Sequence, residues 1–153
     1  MSSVLSTNSD QEVPPTIGGF AAITLYPDVL PTLSLLKDTH RLGLVTNGNT
    51  YPERCGLPGL FAFTIFAQDY QVQKPQPEFY ERVLSETHTH PHEIIHLGDS
   101  LHNDVGGAQA VGIRAIWVNR HQVRNETSIQ PFAEITELSE LPDVLAQRAF
   151  CER

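Results

Sequence analysis

The chain has 153 residues, is 40% apolar and 18% charged, and carries a net charge of −8. That is the size and mix of one globular domain able to bury a core. The acidic balance argues against nucleic acid and against an anionic membrane surface, both of which call for a basic excess. No run of 18 apolar residues occurs, so no transmembrane helix is expected. The opening "MSSVLSTNSDQEVPP" lacks the basic-then-apolar order of a secretory leader. Two cysteines, Cys55 and Cys151, do not make a disulfide framework. The expectation is a soluble protein of the reducing cytoplasm.

In chain order, residues 1–17 are polar and Pro-containing and read as a flexible lead-in, with residues 18–153 forming one core domain. Phe20–Leu25 is a short apolar run that suits a strand but is too short for periodicity to separate it from coil. From Asp28 a helix follows, with Val29, Leu30, Leu33 and Leu36 on one side. Asp28 falls in its first turn, where a negative charge suits the helix dipole, and Pro31 is tolerated there. Leu42–Val45 is a compact strand ended by Thr46-Asn47-Gly48, and Phe61–Gln68 is a third apolar run rich in aromatic and β-branched residues. "KPQPEFYERVLSET" starts a helix with Pro77 at its first position. "EIIHLGDS" is a strand, "HNDVGGAQAVG" a helix closed by Gly112, and "IRAIWV" another strand. Residues 121–132 read as an exposed loop, and "ELSELPDVLAQRAF" as a closing helix capped by Thr136 or Ser139. Continuous apolar strands alternating with helices describe a parallel sheet covered on both faces. The fold class is therefore α/β, a Rossmann-like three-layer sandwich with a mostly parallel sheet.

In such a sheet, ligands sit beyond the carboxyl ends of the strands. Thr46-Asn47, Lys74, and Asp99 with Asp104 all fall there. The Thr46 hydroxyl and nearby backbone N–H groups can hold a phosphate oxygen that Lys74 neutralises. Asp99, with Gly98 before it allowing close backbone approach, can ligate Mg²⁺, which takes one or two carboxylates plus water and phosphate. Asp104 can orient Lys74 or a metal-bound water. Hydroxyl, ammonium and two carboxylates make a set suited to phosphoryl transfer. Singly, each has a plainer reading: helix-start acids, a solvated lysine, a turn. The histidines of "HTHPHEIIH" offer helical ligand spacing only for His88/His92 and His92/His96, and Pro91 interrupts the first pair. They read as an ordinary loop and strand start rather than a zinc site. Cys55 reads as a small core or loop residue, Trp117, Phe61, Phe63 and Phe66 as core, and His102 as a solvated residue at a helix start.

As a set, "LGLVTNGN", "KPQPEFY" and "HLGDSLHNDVGGAQAVG" resemble the second, third and fourth signature motifs of the haloacid dehalogenase superfamily, in the right order. "LYPDVLPTL" is similar to the segment that re-enters the core after the cap in its members. The resemblance implies a Rossmann-like core, Mg²⁺, and phosphatase-type hydrolysis of a small phosphorylated metabolite through an aspartyl intermediate. It implies Thr46, Asn47 and Lys74 for phosphate, Lys74 and Asp104 for catalysis, and Asp99 and Asp104 for the metal. It implies a central first strand, between the Thr-bearing and Asp-bearing strands, ending in Asp-x-Asp with the attacking carboxylate and the acid/base. Here the residues before Tyr26 contain no Asp-x-Asp: Asp10 has no apolar run before it, and Asp28 lies at a helix start. Most of a cap is missing too. Three readings stay open: a catalytically impaired hydrolase, a non-catalytic relative that binds Mg²⁺ and phosphate or a protein, and a fragment of a longer hydrolase. Phe20–Leu25 is expected to stand in as the central strand, and a vacant centre would invite pairing between copies as a homodimer.

Overall fold

The computed structural model of the protein describes residues 2–7, 25–48 and 51–151. Six strands form one sheet: β1 (Ser2–Thr7), β2 (Arg41–Thr46), β3 (Phe63–Phe66), β4 (Ile94–Gly98), β5 (Arg114–Val118) and β6 (Ala133–Ile135). They run parallel throughout, in the order β3-β2-β1-β4-β5-β6. The helices are α1 (Val29–Leu36), α2 (Pro77–Thr87), a widely wound segment Leu101–Gly106 that runs into α3 (Gly107–Gln109), and α4 (Leu141–Cys151). The sheet is thus doubly wound, and its order reverses at β1 and β4.

Alternation along each strand sends side chains to two separate cores. Val45, Ile65, Ile94, Ala115 and Trp117 face Phe79, Tyr80 and Val83 of α2 and Val105 and Ala108 of the following helix. Leu42, Ile95, Leu97, Ile116 and Ile135 face Leu33 and Leu36 of α1 and Leu141 and Leu145 of α4. The expected three-layer sandwich is present. Pro77 opens α2, and Gly112 turns the chain toward β5 at φ +84, a backbone region that suits glycine.

Several expectations change. The central position belongs to Ser2–Thr7, inside the stretch read as a lead-in. It pairs with β2 from Ser2↔Arg41 to Thr7↔Thr46 and with β4 from Ser2↔Ile94 to Leu5↔Leu97. Of the run expected there, residues 20–24 lie outside the described residues, and Leu25 is outside any strand. The vacancy that would have invited a second copy is filled within the chain. The physical reason is pairing: β2 and β4 each present a full edge of N–H and C=O groups, and any extended segment that bonds both satisfies them. β6, a three-residue strand, was not anticipated after the polar loop. Asp28 precedes α1 instead of lying in its first turn and makes no cap bond to it. Its carboxylate accepts from the Leu138 N–H and forms a two-pronged pair with Arg120, at 3.1 and 3.2 Å. Arg120 in turn lies 3.9 Å over the Tyr26 ring. At the closing helix, Glu140 rather than Thr136 or Ser139 does the capping: its Oε1 accepts from the backbone N–H groups of Thr136 and Glu137.

Candidate phosphate and metal site

Parallel strands put the carboxyl ends of β2, β1 and β4 along one edge. Thr46 is level with Thr7, and carrying the β1–β4 register on by two residues brings Asp99 to the same level. Thr46 and Asp99 therefore stand two strand spacings apart, roughly 10 Å.

Lys74 bridges that gap. Its backbone N–H donates to Asn47 Oδ1 at 3.0 Å, which fastens the Lys74 loop to the end of β2. Its ammonium donates to Asp104 Oδ1 at 2.7 Å, with both side chains fully buried. Asp104 Oδ2 accepts from the Ser100 N–H at 3.1 Å, beside Asp99. One lysine thus links the Thr46-Asn47 turn to Asp104, five residues along the chain from Asp99. Gly98 makes the approach of Asp104 possible: a Cβ there would fall 2.2 Å from Asp104 Cβ and Cγ. The carboxylate rests directly on the strand backbone.

The individual roles sharpen. Thr46 is buried, and its hydroxyl accepts from the Gly48 N–H at 2.9 Å. Asn47 uses its side-chain oxygen to hold Lys74, so its backbone and amide nitrogen are what it can turn to an anion. Asp99 is exposed at the strand end, and its carbonyl accepts from Trp117 Nε1 at 3.0 Å, which fixes the backbone that carries it. His102 is exposed, as expected, and Trp117 and Phe66 are buried, while Phe61 and Phe63 are half-buried.

Two buried side chains beside Asp104 were not singled out for this site. His96 Nε2 lies 3.6 Å from Asp104 Oδ1, too long for a strong bond, so Lys74 is the primary partner. Tyr80 Oη lies 3.5 Å from His96 Nε2 and donates to the Asn103 carbonyl at 2.7 Å. Burial works to raise the Asp104 pKa, but the His96 ring and the Lys74 charge outweigh it and hold the carboxyl well below the usual carboxylate range. Burial pushes His96 down, against the pull of Asp104, so the ring is neutral near pH 7. Burial first, then the Asp104 charge, pushes the Tyr80 phenol far up, so it keeps its proton and donates. The sequence did carry a signal for His96: it is the lone polar side chain in "IIHL", on the face with Ile94. Of the other histidines, His88 ends α2 at φ 52, and His90 and His92 stack with ring centroids 5.8 Å apart.

An open parallel sheet that reverses at β1 and β4, with a hydroxyl, an ammonium and two carboxylates at the strand ends there, defines a Rossmann-like α/β protein with a charged cluster at its switch point. The chain belongs to the haloacid dehalogenase-like hydrolase family, whose profile matches residues 18–118 and leaves β1 outside the match. It is 30% identical over 141 residues to a glyceraldehyde 3-phosphate phosphatase of Methanopyrus kandleri, covering 85% of this chain and 60% of that one. It is 32% identical to a 5-amino-6-(5-phospho-D-ribitylamino)uracil phosphatase of Escherichia coli, covering 74% and 50%. Among solved structures, a 2-haloacid dehalogenase from Pseudomonas syringae superposes with a TM-score of 0.78 at 39% identity, covering 82% of this chain and 54% of that one. The chain therefore spans half to three-fifths of the length of the curated relatives named here. No helix among the described residues is long and apolar enough to cross a membrane.

Proposed function

We propose that the crevice formed by Thr46, Lys74, Asp99 and Asp104 binds the phosphate of a small phosphorylated metabolite together with Mg²⁺, and that the chain is a phosphatase-type hydrolase by descent with impaired turnover. The observation that carries the binding half is Lys74, fastened at its backbone to Asn47 and at its ammonium to Asp104. That tie fixes a cation against Asp104 near the carboxyl ends of β2 and β4, which supports binding of a phosphate dianion there. The relatives named above, two of them phosphatases, support the reaction class.

The donor set fits Mg²⁺. Among the described residues no group of three or more His, Cys, Asp or Glu side chains is gathered for a metal. Mg²⁺ asks for less, one or two carboxylates completed by water and phosphate. Asp99, exposed at the end of β4, is the residue to hold it. Asp104, with one oxygen on Lys74 and the other on the Ser100 N–H, serves to fix Lys74. When bound, Mg²⁺ supplies charge neutralisation of the phosphate oxygens. Lys74 would add a second positive charge, and the Thr46-Asn47-Gly48 turn would orient the anion.

The sequence at the end of β1 supports the impairment half of the reading. The strand stops at Thr7, and the residues after it in the sequence are Asn8 and Ser9. Among the described residues the end of β1 carries no carboxylate, and in the sequence Asp10 comes three positions after Thr7. The same observation favours a second reading, a non-catalytic Mg²⁺ and phosphate binder.

The test uses Trp117, the single tryptophan, tied to the Asp99 carbonyl. Mg²⁺ with orthophosphate should change its emission in the native protein and not in Asp99→Ala. p-Nitrophenyl phosphate hydrolysis should be weak and lost in Asp99→Ala; none at all, with the emission change intact, selects the second reading. An unresponsive Trp117 together with turnover that survives Asp99→Ala sinks both.

A further inference from the structure

The helix that carries Asp104 is wound wide at its start. The N–H groups of both Asp104 and Val105 reach the Ser100 carbonyl, at 2.9 and 3.1 Å. The Gly107 N–H, which in a regular α-helix would donate to the Asn103 carbonyl, is given to Asp104 instead. Where the winding changes in this way the backbone pairing shifts, and a side-chain donor can join the Asn103 carbonyl. Tyr80 supplies it from another helix, its hydroxyl donating to Asn103 at 2.7 Å and lying 3.4 Å from the Asp104 carbonyl. The ring is buried and packs edge-on against His96 with centroids 5.2 Å apart. Gly107 makes room for it: a Cβ there would lie 2.6 Å from Tyr80 Cε2 and 3.2 Å from Pro75 Cα, next to Lys74. Tyr80 therefore sits where the Asp104 turn, the Lys74 segment and β4 meet.

We propose that Tyr80 is a positioning residue: its hydroxyl pins the widened turn that aims Asp104 at Lys74, with His96 as the prop behind it, and so sets how tightly the crevice holds an anion with Mg²⁺. It touches no ligand and acts through the Lys74–Asp104 pair. The inference rests on the binding reading above.

The experiment compares native protein with Tyr80→Phe, which deletes the hydroxyl and keeps the ring. Orthophosphate is titrated by calorimetry in the presence of Mg²⁺. In parallel, the Lys74 side-chain methylene resonances are followed by NMR in ¹³C-lysine-labelled protein, where Lys37 is the only other lysine and serves as an internal control. Loss of one hydrogen bond's worth of organisation predicts phosphate affinity weakened about three- to tenfold. The Lys74 resonances should shift and those of Lys37 should not. A variant that merely loosens the core would weaken binding with Lys74 unmoved, and that outcome overturns the proposal. So does native-like binding in Tyr80→Phe. If the native protein binds no phosphate with Mg²⁺, the binding reading falls and this inference with it.

Discussion

Replacing Lys74 with Met keeps the apolar stem and removes the charge, leaving the Asp104 carboxylate buried without the ammonium at 2.7 Å. Removing one partner of a buried pair costs about 3–5 kcal/mol. The Ser100 N–H at 3.1 Å and the His96 ring at 3.6 Å remain, so the low end, about 3 kcal/mol, is expected at pH 7.5. The pH dependence is the sharper part. In the native protein Asp104 has a lowered pKa. Its contribution is present above the unfolded-state value, about 3.9, and is lost only as pH falls through the lower folded value. Without Lys74 the Ser100 N–H and the His96 ring at 3.6 Å are left to oppose burial, and the prediction is that the folded pKa rises above the unfolded one. The variant then gains stability on protonation, so its deficit shrinks as pH falls. Each unit of upward shift is worth about 1.4 kcal/mol. Urea unfolding in EDTA, followed by the emission of the buried Trp117, measures both proteins at pH 7.5 and pH 5. A deficit under about 1 kcal/mol, or one of equal size at the two pH values, refutes the reasoning.

Two other substitutions probe the same architecture. Gly98→Ala puts a Cβ 2.2 Å from the Asp104 side chain. It should cost about 1–3 kcal/mol by overpacking and abolish the Mg²⁺ response of Trp117, and a native-like thermal melt would contradict the packing described. Arg120→Met removes both the Asp28 pair and the stacking on Tyr26. A loss of about 1–2 kcal/mol is expected, smaller in an Asp28→Asn background because the two residues share one interaction; strict additivity in the double variant would show that they do not.

What the sequence disclosed follows from how each feature is encoded. β2 to β5 are near-continuous apolar runs because both faces of the sheet are covered, and such runs are legible one at a time. β1 is not: "SSVLST" has two apolar residues, and its place is decided by two neighbouring strands that need a partner. Phe20–Leu25 looked the better strand on hydrophobicity, but the described pairing gives the slot to Ser2–Thr7. Lys74 and Asp104 could be paired in advance because their order along the chain, after Thr46 and with Asp99, narrows their roles jointly. His96 and Tyr80 escaped because one polar atom at a core-facing position looks like any buried side chain until its neighbours are known. The Asp28–Arg120 pair joins residues 92 positions apart, a separation that no local pattern encodes.

The position of β1 also bears on how the protein reaches its native state. Its two partners, Arg41–Thr46 and Ile94–Leu97, lie far downstream, so the middle of the sheet is assembled from the most distant segments. Pairings of that kind slow folding and leave edges open meanwhile. During synthesis the first strand must wait for β4 to emerge before its second edge can close. Newly made chains therefore carry a temporary seam through their centre, a point at which chaperone binding or self-association would compete with completion of the sheet.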